Sequence, residues 1–284
     1  MTVVSIDGAF VVGSSAVLPL SDRGVRYGDS VFEVVRVYAG VPFLLAQHLR
    51  RLEGAAAELR FGVLDVPLWA HEVREALLRF GSAGDAVLRL MLTRGEGPLR
   101  APLGQTPGRR VVVVESLPEL DARIHERGVS AVVVDAPRVR PEGASALGKY
   151  ARYLPNLLAQ DEARRRGAEE ALWLDPDGHV VEAATANVFA VARGALWTAP
   201  LSSGVLAGIT RAEVLRLSGA AGLGCREELL PPADLARATE IFLTSSVREI
   251  VPVCSVDGRA VGDGAPGPWT RRLHAALRAR ALSP

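Results

Sequence analysis

The sequence predicts a two-domain α+β protein: a smaller N-terminal α/β domain followed by a larger, β-rich C-terminal domain. Three observations lead there. The 284 residues are about two domains' worth at roughly 150 residues each. Helical apolar spacing is concentrated between residues 45 and 80, whereas the stretch after residue 129 is mainly short alternating or apolar runs separated by turn residues. Between them, residues 117–123 contain Pro118 and little apolar periodicity. The expected division is therefore a domain over 1–116, a linker over 117–123 and a domain over 124–284.

Taken in order, residues 2–6 and 9–12 flank Asp7-Gly8, a hairpin signal. Residues 21–30, SDRGVRYGDS, read as a polar, Gly-punctuated loop. It feeds the strand VFEVVRVY, where period 2 puts Phe32, Val34 and Arg36 on one face and Glu33, Val35 and Val37 on the other. Beyond a turn at Gly40, Leu45, Leu49, Leu52, Ala56 and Leu59 form one helical stripe, and Trp69, Val73, Leu77 and Phe80 a second. Strands at 86–93 and 110–115 complete this half. AVVVDA opens the next as a strand, and a Pro- and Gly-bearing loop over 137–148 leads to Lys149. A helix from Pro155 to Arg166 has Leu154, Leu157, Leu158 and Ala163 on one side, with Pro155 in its first turn and Gly167 just past its end. Two hairpins follow, ALWLDPDGHVVE and NVFAVARGALWT. A helix then opens at Gly208-Ile209-Thr210, EIFLTSS forms another strand, and a last helix follows Pro268.

Composition excludes several function classes. The formal net charge is +1, without the basic excess with which nucleic-acid binders neutralise phosphates. No apolar run approaches the roughly 18 residues needed to cross a bilayer, and MTVVSIDGAF has no signal-peptide pattern. Cys225 and Cys254 are too few for a disulfide framework and lack metal-ligand spacing. A cytoplasmic protein without a metal centre is expected.

One imbalance carries more information. Of the 33 basic residues, Lys149 is the only lysine, and Asn156 and Asn187 are the only asparagines. A GC-rich genome accounts for the depletion. Arginine replaces lysine on a solvated surface, but not where an amine must shed its proton and attack carbon. Three further features suit one phosphorylated, electrophilic cofactor. Glu182, at the end of a hairpin strand, is either a solvated carboxylate or the partner of a pyridinium nitrogen. Gly208-Ile209-Thr210 is either a plain helix cap or an anion site built from backbone N–H groups and a hydroxyl. Thr244, Ser245 and Ser246 add hydroxyls at a strand end. With the single lysine, these suggest pyridoxal phosphate.

The chain resembles the fold-type IV pyridoxal-phosphate enzymes, the group of D-amino-acid aminotransferases, branched-chain aminotransferases and aminodeoxychorismate lyases. The resemblance spans nearly the whole chain. It rests on DRGVRYGDSVFEVVRVY (22–38), HLRRL (48–52), KYARYLPNLLAQDEARRRGAEEALWLD (149–175), VVEAATANVFAV (180–191), GVLAGITR (204–211), FLTSSVREIVPVCSVDG (242–258) and GPWTRRL (267–273). It implies that Lys149 bonds the cofactor aldehyde and shuttles a proton, and that Glu182 meets the pyridine nitrogen. Arg51, Ile209, Thr210 and Ser246, with Ser245 beside it, would hold the phosphate. Leu206 would pack on a ring face, Tyr153 would approach the phenolic oxygen, and Thr185 would lie in the adjoining loop. It also implies two α/β domains with the cofactor between them, and a homodimer.

Substrate choice is expected in the first half. FEVVRVY resembles the D-amino-acid enzymes, with Val34 where branched-chain enzymes carry glycine. Thr93-Arg94-Gly95 is present, but the Arg-x-His carboxylate clamp of the usual D-amino-acid enzymes is incomplete, because EGPLRAPLGQ follows without histidine. Arg26, Arg36 and Arg94, together with Phe32 on the Arg36 face, are the candidates for meeting substrate. Transamination between a D-amino acid (D-alanine or D-glutamate) and a 2-oxo acid comes first. Branched-chain transamination, aminodeoxychorismate lysis and R-selective amine transamination follow. Val34 has no hydroxyl to assist elimination, which counts against the lyase. A cofactor-binding relative without activity is the non-enzymatic alternative.

Overall fold

The structure, a computed structural model, describes residues 2–12, 15–104, 108–119, 121, 123–134 and 148–283. Most of the expected 137–148 loop, and Leu120 and Ala122 of the expected linker, lie outside the described residues. Contacts divide the chain into two compact units, Met1–Glu119 with Leu147–Arg152, and Leu120–Ala146 with Tyr153–Pro284.

The first unit is built on the strands β1 (Thr2–Ile6), β2 (Ala9–Val12), β3 (Ser30–Tyr38), β4 (Val41–Pro42), β5 (Ala86–Thr93) and β6 (Arg110–Ser116), in sheet order β2-β1-β6-β5-β3-β4. All pairings are antiparallel. Residues 21–30, expected as loop, hold one helical turn, α1 (Arg23–Tyr27). Its cause is local. The buried Asp22 carboxylate accepts from the Gly24 N–H at 2.7 Å, as an N-cap does, and from Thr93 Oγ1 at 2.8 Å. Two longer helices, α2 (Leu45–Glu58) and α3 (Val66–Phe80), pack on the sheet. The expected stripes are what they bury: Leu49, Leu52 and Ala56 from α2, and Trp69, Val73 and Phe80 from α3, join Val31, Val35, Leu88, Leu90 and Val112 in one core.

The segment carrying Lys149 groups with this unit, whereas the expected boundary puts it in the second domain. The reason is backbone pairing. Phe32 N–H donates to the Lys149 carbonyl at 3.0 Å, Ala151 N–H donates to the Ser30 carbonyl at 3.0 Å, and Tyr150 bridges Val31. These residues run antiparallel along the start of β3.

The second unit contains α4 (Ile124–Arg127), β7 (Val129–Val134), α5 (Leu154–Arg165), β8 (Glu170–Leu174), β9 (Val180–Ala183), β10 (Asn187–Ala192), β11 (Ala195–Thr198), α6 (Ile209–Ala220), β12 (Cys225–Glu227), α7 (Pro232–Leu235), β13 (Glu240–Ser245), β14 (Glu249–Val256), β15 (Arg259–Ala260) and α8 (Pro268–Leu282). The sheet order is β12-β11-β10-β13-β14-β7-β8-β9, with β15 on β14. Because β9 also pairs with β10, the strands from β10 round to β9 close into a barrel-like ring. Leu172, Ala183, Val188, Ala190, Leu243 and Val251 form a core on one face. On the other, Ala159 and Ala163 of α5 pack with Val132, Ala171 and Trp173.

Ala163, expected on the same side of α5 as the leucines, lies on the buried side away from them. Leu154, Leu157 and Leu158 are 66%, 61% and 57% exposed, and the helix buries its alanine face instead. At that face the helix lies close on the sheet, where only small side chains fit.

The last helix shows how a remote carboxylate terminates a segment. Glu240 accepts from the N–H groups of Trp269 and Thr270 at 2.9 and 2.7 Å, and from Thr270 Oγ1 at 2.6 Å. It satisfies the start of α8, which has no side-chain cap of its own. Glu240→Gln should therefore cost about 1–3 kcal/mol, read as a lower urea midpoint with unchanged far-UV circular dichroism at 20 °C.

Candidate active site

In the first unit, Gly148 precedes Lys149 for a steric reason: the Tyr150 ring folds back over it, and a Cβ would collide with that ring. The pairing with β3 then places the Lys149 amine over the Phe32 ring, 5.0 Å from its centroid. Phe32 and Val34 are half-buried on the same strand face.

On the opposite face of β3, Glu33 is buried, with its carboxylate between Arg51 and His48. Arg51, on α2, donates through Nε to Oε1 at 2.7 Å and through Nη2 to Oε2 at 2.6 Å. The fork is bidentate, the geometry that lysine cannot supply. His48, one turn earlier on the same helix, places Nδ1 2.7 Å from Oε2. Burial alone would raise the Glu33 carboxyl, but the charge and hydrogen bonds of Arg51, helped by His48, outweigh it and lower it to about 2. Burial lowers His48 from its ordinary value, against the pull of Glu33.

The other expected arginines are engaged elsewhere. Arg36 pairs with Asp85 at 2.6 Å and lies over the Tyr38 ring. Arg94 donates to Asp29 at 2.8 Å and to the carbonyls of Arg60 and Leu59, both at 2.9 Å. Its guanidinium also covers the Phe61 ring. These contacts engage both side chains within the first unit. Arg26 is exposed, beside Tyr27.

In the second unit, register sets the site. Trp173, Glu182, Asn187 and Thr244 are successive partners across β8, β9, β10 and β13, so all four side chains share one face. Glu182 is 7% exposed and accepts the Leu206 N–H at 3.1 Å. Thr244 Oγ1 is buried without a hydrogen-bond partner among the described residues. Next to the row, Gly208 opens α6 with no side-chain cap, leading into half-buried Ile209 and buried Thr210. Leu206, and Ser245 and Ser246 at the end of β13, are half-buried.

Tyr153, Thr185 and Arg248 line a cavity of about 500 Å³ with Asn156, Gln160 and Glu170. Arg248 pairs with the buried Glu170 and donates to Thr185 Oγ1 at 3.5 Å. Sequence reasoning missed the Glu33–His48 and Glu170–Arg248 contacts. The period-2 face of β3 was the available signal for Glu33.

The donors of the second unit fit a phosphorylated pyridine. A buried carboxylate suits a ring nitrogen that must keep its proton. The uncapped start of a 12-residue helix beside Thr210 suits a phosphate.

Comparison with known proteins agrees. A family model described as amino-transferase class IV matches residues 30–256. The chain is 35% identical to a putative branched-chain-amino-acid aminotransferase of Methanocaldococcus jannaschii, over 95% of this chain and 93% of that one. It is 32% identical to the D-alanine aminotransferase of Bacillus licheniformis, over 99% and 97%. The solved PLP-bound form of a hypothetical aminotransferase from Mycobacterium tuberculosis superposes with a TM-score of 0.87 at 26% identity, covering 99% of each chain.

The buried cluster yields a pH test. Glu33→Gln leaves Arg51 facing a neutral group and should cost ~3 kcal/mol or more at pH 7. The carboxyl is depressed in the folded state, so its contribution is fully present above the unfolded value of about 4.3 and is lost as pH falls towards 2. Urea unfolding should show a constant gap between wild type and variant from pH 7 to 5, narrowing below pH 4.

Proposed function

We propose, for a chain that belongs to the class IV aminotransferases and is therefore a pyridoxal-phosphate-dependent transaminase, that it moves the amino group of a branched-chain L-amino acid onto a 2-oxo acid. One observation carries the substrate class. With Arg36 and Arg94 tied to Asp85 and Asp29, the half-buried side chains left on that face of β3 are Phe32 and Val34, which favour an apolar substrate side chain. A D-amino acid such as D-alanine is the second reading, favoured by the likeness to the D-alanine aminotransferase over 99% of this chain.

Pyridoxal phosphate, when bound, supplies an aldehyde to take the amino group and a ring that withdraws electrons from the substrate α-carbon. The chain's residues do the rest. Lys149 is the residue assigned to bond the aldehyde carbon and, as a free amine, to carry the proton to and from the substrate α-carbon. Glu182 holds the proton at the ring nitrogen. Arg51, Ser245, Ser246, Thr210 and the Ile209 N–H at the start of α6 bind the phosphate, and Leu206 covers a ring face. Tyr153 approaches the phenolic oxygen, with Thr185 in the adjoining loop. The amino acid leaves as its 2-oxo acid before the second substrate enters, so one pocket serves both.

The exposed Leu154, Leu157 and Leu158 face of α5 supports a homodimer, because an apolar face of this kind is seldom left in water. Among the described residues no helix is long and apolar enough to cross a membrane. Two free thiols, Cys225 and Cys254, fit a reducing cytoplasm.

Absorbance of the purified, cofactor-loaded protein tests the reading. L-Leucine should convert the bound cofactor to its amino form faster than D-alanine does. Conversion by D-alanine alone selects the second reading, and conversion by neither removes both. Lys149→Arg keeps the charge but should lose the visible band and all turnover. Glu182→Gln should retain cofactor and slow the half-reaction by about 100-fold or more, a measure of how far the ring depends on its proton.

A further inference from the structure

We propose that Asn187, supported by Asn156, is a positioning residue that keeps the ring-nitrogen carboxylate and the phosphate cup at a fixed separation. This rests on the assignment of Glu182, Leu206 and Thr210 to the cofactor. Both backbone groups of Leu206 are held by neighbouring residues of the cross-strand row. Its N–H donates to Glu182 Oε2 at 3.1 Å, and its carbonyl accepts from Asn187 Nδ2 at 2.8 Å. The same carbonyl accepts the Gly208 N–H at 2.8 Å, which bends the chain directly before α6. Gly208 lies so close that a Cβ there would collide with Asn187 Oδ1. The path from Glu182 to the start of α6 therefore runs through Leu206 and is set by Asn187.

The chemistry of the position selects asparagine. Asn187 is 5% exposed, faces Glu182 across the strand pair and must donate to a carbonyl. Aspartate would set a second carboxylate beside the first and oppose the carbonyl with an acceptor. Serine is too short to reach, and arginine would add a charge and a bulk that Gly208 leaves no room for. Asn156 performs the matching task one loop away, where its Nδ2 donates to the Ala184 carbonyl in the turn between Glu182 and Asn187. These are the only two asparagines among 284 residues; Asn156 holds the turn after Glu182 and Asn187 holds the Leu206 carbonyl.

The test uses Asn187→Asp and, in case that variant fails to fold, the neutral Asn187→Ser. Each full-length apoprotein is titrated with pyridoxal phosphate by absorbance, its melting is recorded without cofactor, and the bound-cofactor band is followed with pH. The expected result is affinity weaker by about ten- to a hundredfold, together with a displaced pH midpoint of the band. Apoprotein melting should move by only a few degrees. The pH midpoint is the readout that a merely structural residue would leave in place, because it reports whether Glu182 still meets the ring nitrogen. Uptake within twofold of wild type, or an unmoved midpoint in the folded variant, overturns the proposal alone. Failure of the wild-type protein to take up cofactor overturns the underlying assignment as well.

Discussion

A ring of strands has to close somewhere, and in the second unit it closes at a polar pair. β9 is bonded along its length to β8, but it meets β10 only where Glu182 faces Asn187. Both side chains are buried, and polar groups taken out of water must find partners or cost the fold several kcal/mol. The backbone of Leu206 provides one to each: an N–H for the carboxylate and a carbonyl for the amide. That closure leaves the carboxylate at the end of a short strand, with α6 starting shortly beyond the peptide that satisfies it. Closing the ring and placing a buried carboxylate beside the uncapped start of α6 are thus one constraint, imposed by one cross-strand register.

The first unit reaches a comparable fixity by charge. Glu33 and Arg51 are a buried ion pair whose desolvation cost is met by two hydrogen bonds and a third group, His48. Such a pair adds little net stability compared with an apolar replacement, but it fixes the direction of the guanidinium fork. A guanidinium held through Nε and Nη2 keeps its remaining N–H groups in a fixed direction. The strand that carries Glu33 also pairs, through Phe32, with the backbone of Lys149. One strand therefore orients the cation on one face and the amine at its edge.

Much of this is legible in the sequence where local physics decides. The stripes of α2 and α3 are buried as their period requires, and Lys149, Glu182 and Gly208-Ile209-Thr210 are the motifs proposed for the cofactor. The departures have non-local causes. Arg36 and Arg94 look like available cations, but their partners Asp85 and Asp29 stand 49 and 65 residues away in the chain, and no window of sequence couples them. The leucines of α5 do share one side of a helix; periodicity names the apolar face without saying what covers it. Lys149 belongs to the first unit through backbone pairing with β3, to which side-chain pattern is blind. The one-turn helix at Arg23–Tyr27 is hidden by its glycines, although Asp22 ahead of it is an N-cap signal.

Scarcity of Lys and Asn makes the survivors informative in this chain. A composition that drives Lys to Arg, and thins Asn, acts on every position where the exchange is tolerated. What survives marks positions where the chemistry refuses it. An amine that must lose its proton cannot become a guanidinium. A neutral donor wedged between a carboxylate and a carbonyl cannot become a charged group or a shorter hydroxyl. Asn187 meets the second condition by contacts that the fold makes explicit, and Lys149 is the residue proposed for the first. Scarcity singles out all three residues, yet it gives a role to lysine alone, because amine chemistry is recognisable without a structure. The role of an amide depends on what it touches, and that is settled only when β9 and β10 meet.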